Sequence, residues 1–90
     1  MNDEDIKLGE IYQVLMTEEE ARTINGKYAC KGIVRAVRFP ITGRRQSNCV
    51  YVEGYFEGIP DFQYNYFVTS RSIYPPTELA KKEFLLKQIK

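Results

Sequence analysis

The chain has 90 residues, of which 43% are hydrophobic and 28% charged, with a formal net charge of +1 and no histidine. This composition is typical of one small globular domain and excludes a chain that is disordered throughout. The lack of histidine removes the usual general base near neutral pH and every Ser–His or Cys–His nucleophile pair. No apolar run approaches the ~18 residues of a membrane span. The acidic start MNDEDIKLGE is unlike a signal peptide, so a cytoplasmic location is expected.

Few side chains offer metal or acid–base chemistry. Cys30 and Cys49 are too few for a disulfide scaffold and lack metal-ligand spacing, so buried thiols and no cofactor or metal are expected. Glu53, Glu57 and Asp61 straddle a turn without an evident partner, which favours solvated or ion-paired carboxylates. We therefore expect no enzymatic activity and no catalytic residue, and a small enzyme using carboxylate and tyrosine is the less favoured alternative.

In chain order, the first half predicts strands joined by tight turns. After residues 1–5, which are expected to fray, GEIYQVLM favours a first strand. The segment TEEEA follows, in which Thr17 and Glu20 have the spacing of a capping box. Asn25-Gly26 favours a two-residue hairpin turn, since both positions of a type I′ turn need positive φ.

The second half predicts longer strands and one helix. YACKGIVRAVRF, CVYVEGYF and FQYNYFVTS each combine alternation with β-favouring residues. The prolines of SIYPP are expected to end the sheet, and Thr77 is placed to cap a final helix over ELAKKEFLLKQIK. We predict a single domain over residues 1–90, with a β-rich core at 6–74 and a helix at 77–90. Its fold class is mainly β, a small antiparallel barrel or strongly bent sheet (SH3-like or OB-like) with a C-terminal α-helix.

Charge is segregated along the chain. Residues 1–20 carry a net charge of −6, whereas residues 21–46 contain seven basic residues and no acid. The basic window ends in the loop PITGRRQSN, where Arg44 and Arg45 stand among turn-forming residues. Guanidinium groups match phosphate oxygens bidentately, so the loop is either a phosphate contact or a solvated hairpin end, and both interpretations remain open.

Pairing of residues 31–39 with 49–57 predicts the composition of the second sheet face. The expected opposite pairs are Arg38 and Val50, Arg35 and Glu53, Val37 and Tyr51, and Ile33 and Tyr55. By alternation Arg38 faces away from Arg35. The second face would be aromatic around one ion pair, and the helix, a ligand or a second subunit is expected to cover it. Self-association, giving a homo-oligomer, is the favoured expectation.

Tyrosine and arginine together suggest a binding module. Phe56, Phe62 and Phe67 are expected in the core, whereas tyrosines beside arginines can stack bases or anchor a protein partner. The leading hypothesis is a non-enzymatic module that binds a phosphate-bearing ligand, either single-stranded nucleic acid or a small nucleotide. A protein-interaction module, or a small inhibitor that caps a partner protein, is the alternative. The predicted ligand-binding residues are Arg35, Arg38, Arg44, Arg45, Tyr51 and Tyr55.

Overall fold

The strands form an open five-stranded antiparallel sheet and a separate two-stranded hairpin in a computed structural model that describes residues 1–40 and 48–89. The elements are β1 (Ile11–Leu15), β2 (Thr23–Ile24), β3 (Lys27–Tyr28), β4 (Lys31–Arg38), β5 (Cys49–Phe56), β6 (Ile59–Thr69), β7 (Ile73–Tyr74) and helix α1 (Glu78–Gln88). Five strands are ordered β6-β5-β4-β1-β7, and β2 pairs with β3 in the two-stranded hairpin. The prediction of a mainly β fold with one C-terminal helix is confirmed. Among the described residues β6 and β7 are unpaired sheet edges, so no closed barrel is found there.

One face of the sheet, here called the core face, carries the hydrophobic core. Alternate residues of the central strands are buried, because successive side chains of a strand point to opposite faces. Val34, Val50 and Val52 are fully buried there. Around them lie Tyr12, Val14, Ala36, Phe56, Tyr66, Val68 and Ile73, covered by Ile6, Met16 and Ala29 from outside the longer strands. The opposite face, here called the aromatic face, is left for α1 and for solvent.

Residues 1–5 are tied to the sheet, although their composition predicts fraying. Asp3–Asp5 forms a single 3-10 turn. The Met1 ammonium donates to the carbonyl oxygens of Ser70 at 3.0 Å and Ile73 at 2.9 Å. The Ser70 hydroxyl also donates to the Asp3 carboxylate. These long-range hydrogen bonds hold a segment whose charges alone would favour solvent.

Three local predictions are confirmed. Asn25 and Gly26 have φ of 52° and 82° between β2 and β3, as a type I′ hairpin requires. The Thr17 and Glu20 side chains each accept from the other residue's backbone amide, at 3.5 and 3.4 Å. The Thr77 hydroxyl accepts from the Ala80 amide at 3.0 Å and caps α1.

The sheet ends where the prolines of SIYPP predict. Ile73 and Tyr74 form β7, which pairs with β1 at Val14 and Gln13. Pro75 follows directly and has no backbone N–H to donate, so this short edge strand ends before the first proline of SIYPP. The prediction that the prolines of SIYPP end the sheet is therefore confirmed.

The side chains of strand β6 do not alternate regularly between the two sheet faces along its whole length. Val52 pairs with Tyr66 and Gly54 with Gln63, so β6 accommodates an extra residue between these pairs. Asn65 lies in this irregular stretch with φ of 48°, a conformation that asparagine tolerates better than most residues. As a result, Phe62 contacts Tyr55 on the aromatic face, although the sequence predicts it in the core.

Candidate nucleic-acid interface

The β4–β5 pairing confirms part of the predicted register and corrects its end. Arg35 lies opposite Glu53 and Ile33 opposite Tyr55, as predicted. Arg38, however, lies opposite Tyr51 and not opposite Val50, because the register shifts between Ala36 and Arg38. An extra residue in one strand turns the next side chain toward the other face. The bulge therefore places Arg38 on the aromatic face, the same face as Arg35. The prediction that these two arginines lie on opposite faces of the sheet is wrong.

Four side chains form a continuous row. Three come from strands β4, β5 and β6, and the fourth comes from the segment before β2. The Arg38 guanidinium lies over the Tyr51 ring, 4.1 Å from its centroid. Tyr51 lies opposite Phe67 of β6, with ring centroids 5.1 Å apart and planes inclined by 30°. The Arg22 guanidinium lies over the Phe67 ring, 5.8 Å from its centroid. This Arg–aromatic row (Arg38, Tyr51, Phe67 and Arg22) has an aromatic pair at its centre and a cation at each end.

Arg22 reaches the row from the segment before the β2–β3 hairpin. Its backbone amide donates to the Tyr66 hydroxyl at 3.3 Å, and its carbonyl accepts from the Ala29 amide at 3.1 Å. Burial raises the pKa of the Tyr66 hydroxyl, against the opposing effect of the Arg22 amide. The neutral phenol is thus the stable form and remains available as an acceptor. A fixed backbone therefore positions a solvent-exposed guanidinium beside β6.

The two arginines of the row have no acidic partner among the residues that the structure describes. Neither Arg22 nor Arg38 forms an ion pair with a described Asp or Glu. Arg71 offers a contrast, because its guanidinium lies 3.1 Å from the Glu20 carboxylate. Hydrogen bonds from Thr17 and the charge of Arg71 lower the pKa of Glu20, which keeps that partner ionised. The row therefore offers two uncompensated positive charges to an anionic ligand.

Arg35, a predicted site residue, is already engaged within the protein. Its guanidinium lies 3.8 Å from the Glu53 carboxylate, and the Arg35 side chain as a whole is two-thirds buried. It also lies 5.1 Å from the centroid of the Phe84 ring of α1. The cation is thus held between a carboxylate and an aromatic face, both of which stabilise it in place.

Tyr55 is likewise packed under α1. Its ring contacts Phe62 at 5.0 Å and Phe84 at 5.8 Å in edge-on arrangements. Its hydroxyl donates to the Lys87 carbonyl at 3.0 Å and accepts from the Gln88 side chain at 3.0 Å. The role of Tyr55 in stacking a base stays a prediction.

The structure brings together only part of the predicted site. Arg38 and Tyr51 are in contact, whereas Arg44 and Arg45 lie outside the described residues. Phe67, predicted as core, and Arg22, which was not predicted as a site residue, complete the row. The cross-strand partner of Tyr51 could have indicated Phe67, because an aromatic opposite an aromatic is a favourable strand pair. No local signal places Arg22 beside β6, since that contact depends on the tertiary fold.

A second surface feature is an apolar groove between α1 and the ends of β1 and β4. It has a volume of about 1220 Å³, and its lining includes Leu15, Ile33, Leu79 and Leu86. Its lining also includes two ion pairs. Lys31 lies 3.9 Å from Glu57, and Lys87 lies 3.6 Å from Glu83. The groove is separate from the Arg–aromatic row, none of whose members line it.

Metal-ligand clusters and long apolar helices are both absent from residues 1–40 and 48–89. Within these ranges no group of three or more His, Cys, Asp or Glu side chains is placed to hold a metal ion. No described helix is both long and apolar enough to cross a membrane. Comparison with protein-family models, curated protein sequences and solved structures finds no match to this chain.

Proposed function

We propose that this protein binds single-stranded nucleic acid through the Arg–aromatic row. The observation that supports it best is the placement of two uncompensated guanidinium groups at the ends of the Tyr51–Phe67 pair. Single-strand binding surfaces combine aromatic rings, on which bases stack, with cations that follow the backbone phosphates. The row contains both chemistries in contact with each other, with its two rings on the aromatic face.

The size of the row favours a strand over a small nucleotide. Its central rings come from β5 and β6, and the strand that carries Arg38 lies about 10 Å from β6 at the usual strand spacing. Arg22 lies beyond Phe67, so the two cations are further apart than the phosphates of one nucleotide require. Successive phosphates of an extended strand suit this separation. The proposed roles are phosphate contacts for Arg22 and Arg38 and base stacking for Tyr51 and Phe67. A role for Arg44 and Arg45 stays a prediction from the sequence.

Titration of the wild-type protein with a fluorescent oligothymidylate tests this function. Binding is expected at low salt, and the logarithm of the association constant should fall against the logarithm of the salt concentration. Two phosphate contacts on a single strand predict a slope of about −1.4. A mononucleotide is expected to bind more weakly because it reaches only one end of the row.

Two results would contradict the proposal. One is the absence of oligonucleotide binding at low salt. The other is binding without salt dependence, since phosphate contacts must release counterions. A mononucleotide that binds as tightly as the oligonucleotide would instead favour the small-nucleotide alternative.

The apolar groove favours a second function, contact with a second copy of this chain. Leu79, Leu86 and Ile89 along its α1 side are 75%, 69% and 75% exposed. Monomeric soluble proteins rarely expose large contiguous apolar patches. The groove's rim carries both lysines and glutamates, and a surface of mixed charge can meet its own copy with opposite charges adjacent. We propose a homodimer across this groove.

Native mass spectrometry at low and high protein concentration tests the homodimer. The wild type is expected to shift toward dimer as concentration rises. Leu86→Glu should keep the protein monomeric, because it places an unpaired charge in the apolar contact. Leu8→Glu is the matched control, since Leu8 is also exposed but does not line the groove. A wild type that stays monomeric throughout, or equal behaviour of the two variants, would contradict the homodimer.

A further inference from the structure

Helix α1 covers aromatic and basic side chains of the same kinds as those in the open Arg–aromatic row. Beneath it lie Tyr55 and Arg35, each in contact with the Phe84 ring. Phe62 and Tyr64 of β6 continue this surface, with ring centroids 4.6 Å apart. Tyr55 follows Tyr51 by four residues on β5, which is about 13 Å along a strand. The aromatic face is therefore one surface, of which α1 covers one part.

The attachment of α1 to the sheet is small. Of its 11 residues only Ala80 and Phe84 are buried. Leu79, Leu85 and Leu86 are exposed, so most of the helix's apolar side chains do not stabilise its docked position. Further contacts at the C-terminal end are the hydrogen bonds of Tyr55 to Lys87 and Gln88 and the Lys87 ammonium, 5.0 Å from the centroid of the Tyr55 ring. Elements with few buried apolar contacts open more readily than the core does.

The link between the sheet and α1 allows the helix to undock from the aromatic face without disturbing β7. Pro75 and Pro76 lie between Tyr74 and the capping residue Thr77. Proline has no backbone N–H, so these residues donate no hydrogen bond to the sheet. The core face lies on the opposite side of the sheet from Phe84 and does not include it. Undocking of α1 therefore exposes Tyr55 and Arg35 while the main core stays intact.

We propose that α1 competes with single-stranded nucleic acid for the covered part of the aromatic face. This inference rests on the proposed function. A short strand binds the open Arg–aromatic row alone. A longer strand displaces α1 and gains Tyr55 as a further stacking surface and Arg35 as a further cation. The helix thus sets the length of the binding site and lowers the affinity for longer strands.

Oligothymidylates of about 4 and about 12 nucleotides, both within the range of site sizes for one OB fold, test this competition with the variant Phe84→Ala. The form with α1 undocked, in which the covered surface is open, is expected in at most about a tenth of the molecules. The apparent affinity for a longer strand is then at most about a tenth of its intrinsic value. Phe84→Ala should therefore bind the longer oligonucleotide about tenfold more tightly than the wild type does. Its affinity for the shorter one should not change. Leu85→Ala, at an exposed position of the same helix that does not line the apolar groove, should change neither.

Tyr55→Phe provides a milder second variant in case Phe84→Ala does not fold. It keeps the ring but removes both hydrogen bonds to the end of α1, and it should also tighten binding of the longer oligonucleotide. Equal or weaker binding of the longer oligonucleotide by the folded variants would overturn the competition while leaving the proposed function intact. Failure of the wild type to bind the shorter oligonucleotide would overturn both.

Discussion

Replacement of Gly54 by alanine is expected to lower the midpoint of thermal unfolding by more than about 10 °C. Gly54 is buried on β5 opposite Val34, and a Cβ atom there would meet the backbone of β4. That atom would lie against the Ile33 carbonyl oxygen and 2.7 Å from the Val34 Cα. The obstacle is backbone, so no side-chain rotation can relieve it. Overpacking costs about 1–3 kcal/mol and occasionally more, and a backbone obstacle places Gly54→Ala at about 3 kcal/mol or above. Each kcal/mol lowers the midpoint by about 4–8 °C in a domain of this size.

Gly58→Ala is the matched control for this prediction. Gly58 has φ of +81°, but no atom lies within 4 Å of the position its Cβ would take. Its substitution should cost about 1–2 kcal/mol through backbone strain alone. Thermal unfolding followed by circular dichroism compares the two variants. If Gly54→Ala is as stable as Gly58→Ala, the close approach of β4 and β5 at this position is wrong.

Alternation in the sequence is sufficient to predict the middle of the β4–β5 pair. The opposition of Arg35 and Glu53 follows because period-two patterning and one buried face restrict the register. Arg38 could not be placed in the same way. The bulge at Val37 carries no glycine and no other local signal, and it moves Arg38 onto the face that holds Tyr51.

Other parts of the candidate interface depend on contacts between distant segments. Arg22 reaches Phe67 only because its backbone is hydrogen-bonded to Tyr66, 44 residues away. The covering of Tyr55 depends on where α1 docks. The sequence predicts the helix and its Thr77 cap, because these are local, but not the position of Phe84 over the sheet.

Loss of both cations of the Arg–aromatic row is expected to reduce oligonucleotide affinity by more than about 100-fold. Each charged hydrogen bond to a phosphate contributes about 1.5–3 kcal/mol, so the double variant Arg22→Ala, Arg38→Ala should lose about 3–6 kcal/mol. The salt slope should fall from about −1.4 to near zero, since no phosphate contact would remain in the row. Both side chains are exposed, so the substitutions should leave the fold intact.

Arg71→Ala, Lys82→Ala is the matched control, because it removes the same charge from two exposed positions outside the row. The measurement that tests the nucleic-acid interface most directly is the salt dependence of oligothymidylate binding by the wild type and these two double variants. We expect the control to keep the wild-type slope and affinity within about threefold, a difference of under about 0.7 kcal/mol, while the row variant loses both. If the two double variants lose affinity equally, binding reflects overall charge and the Arg–aromatic row is not the binding site.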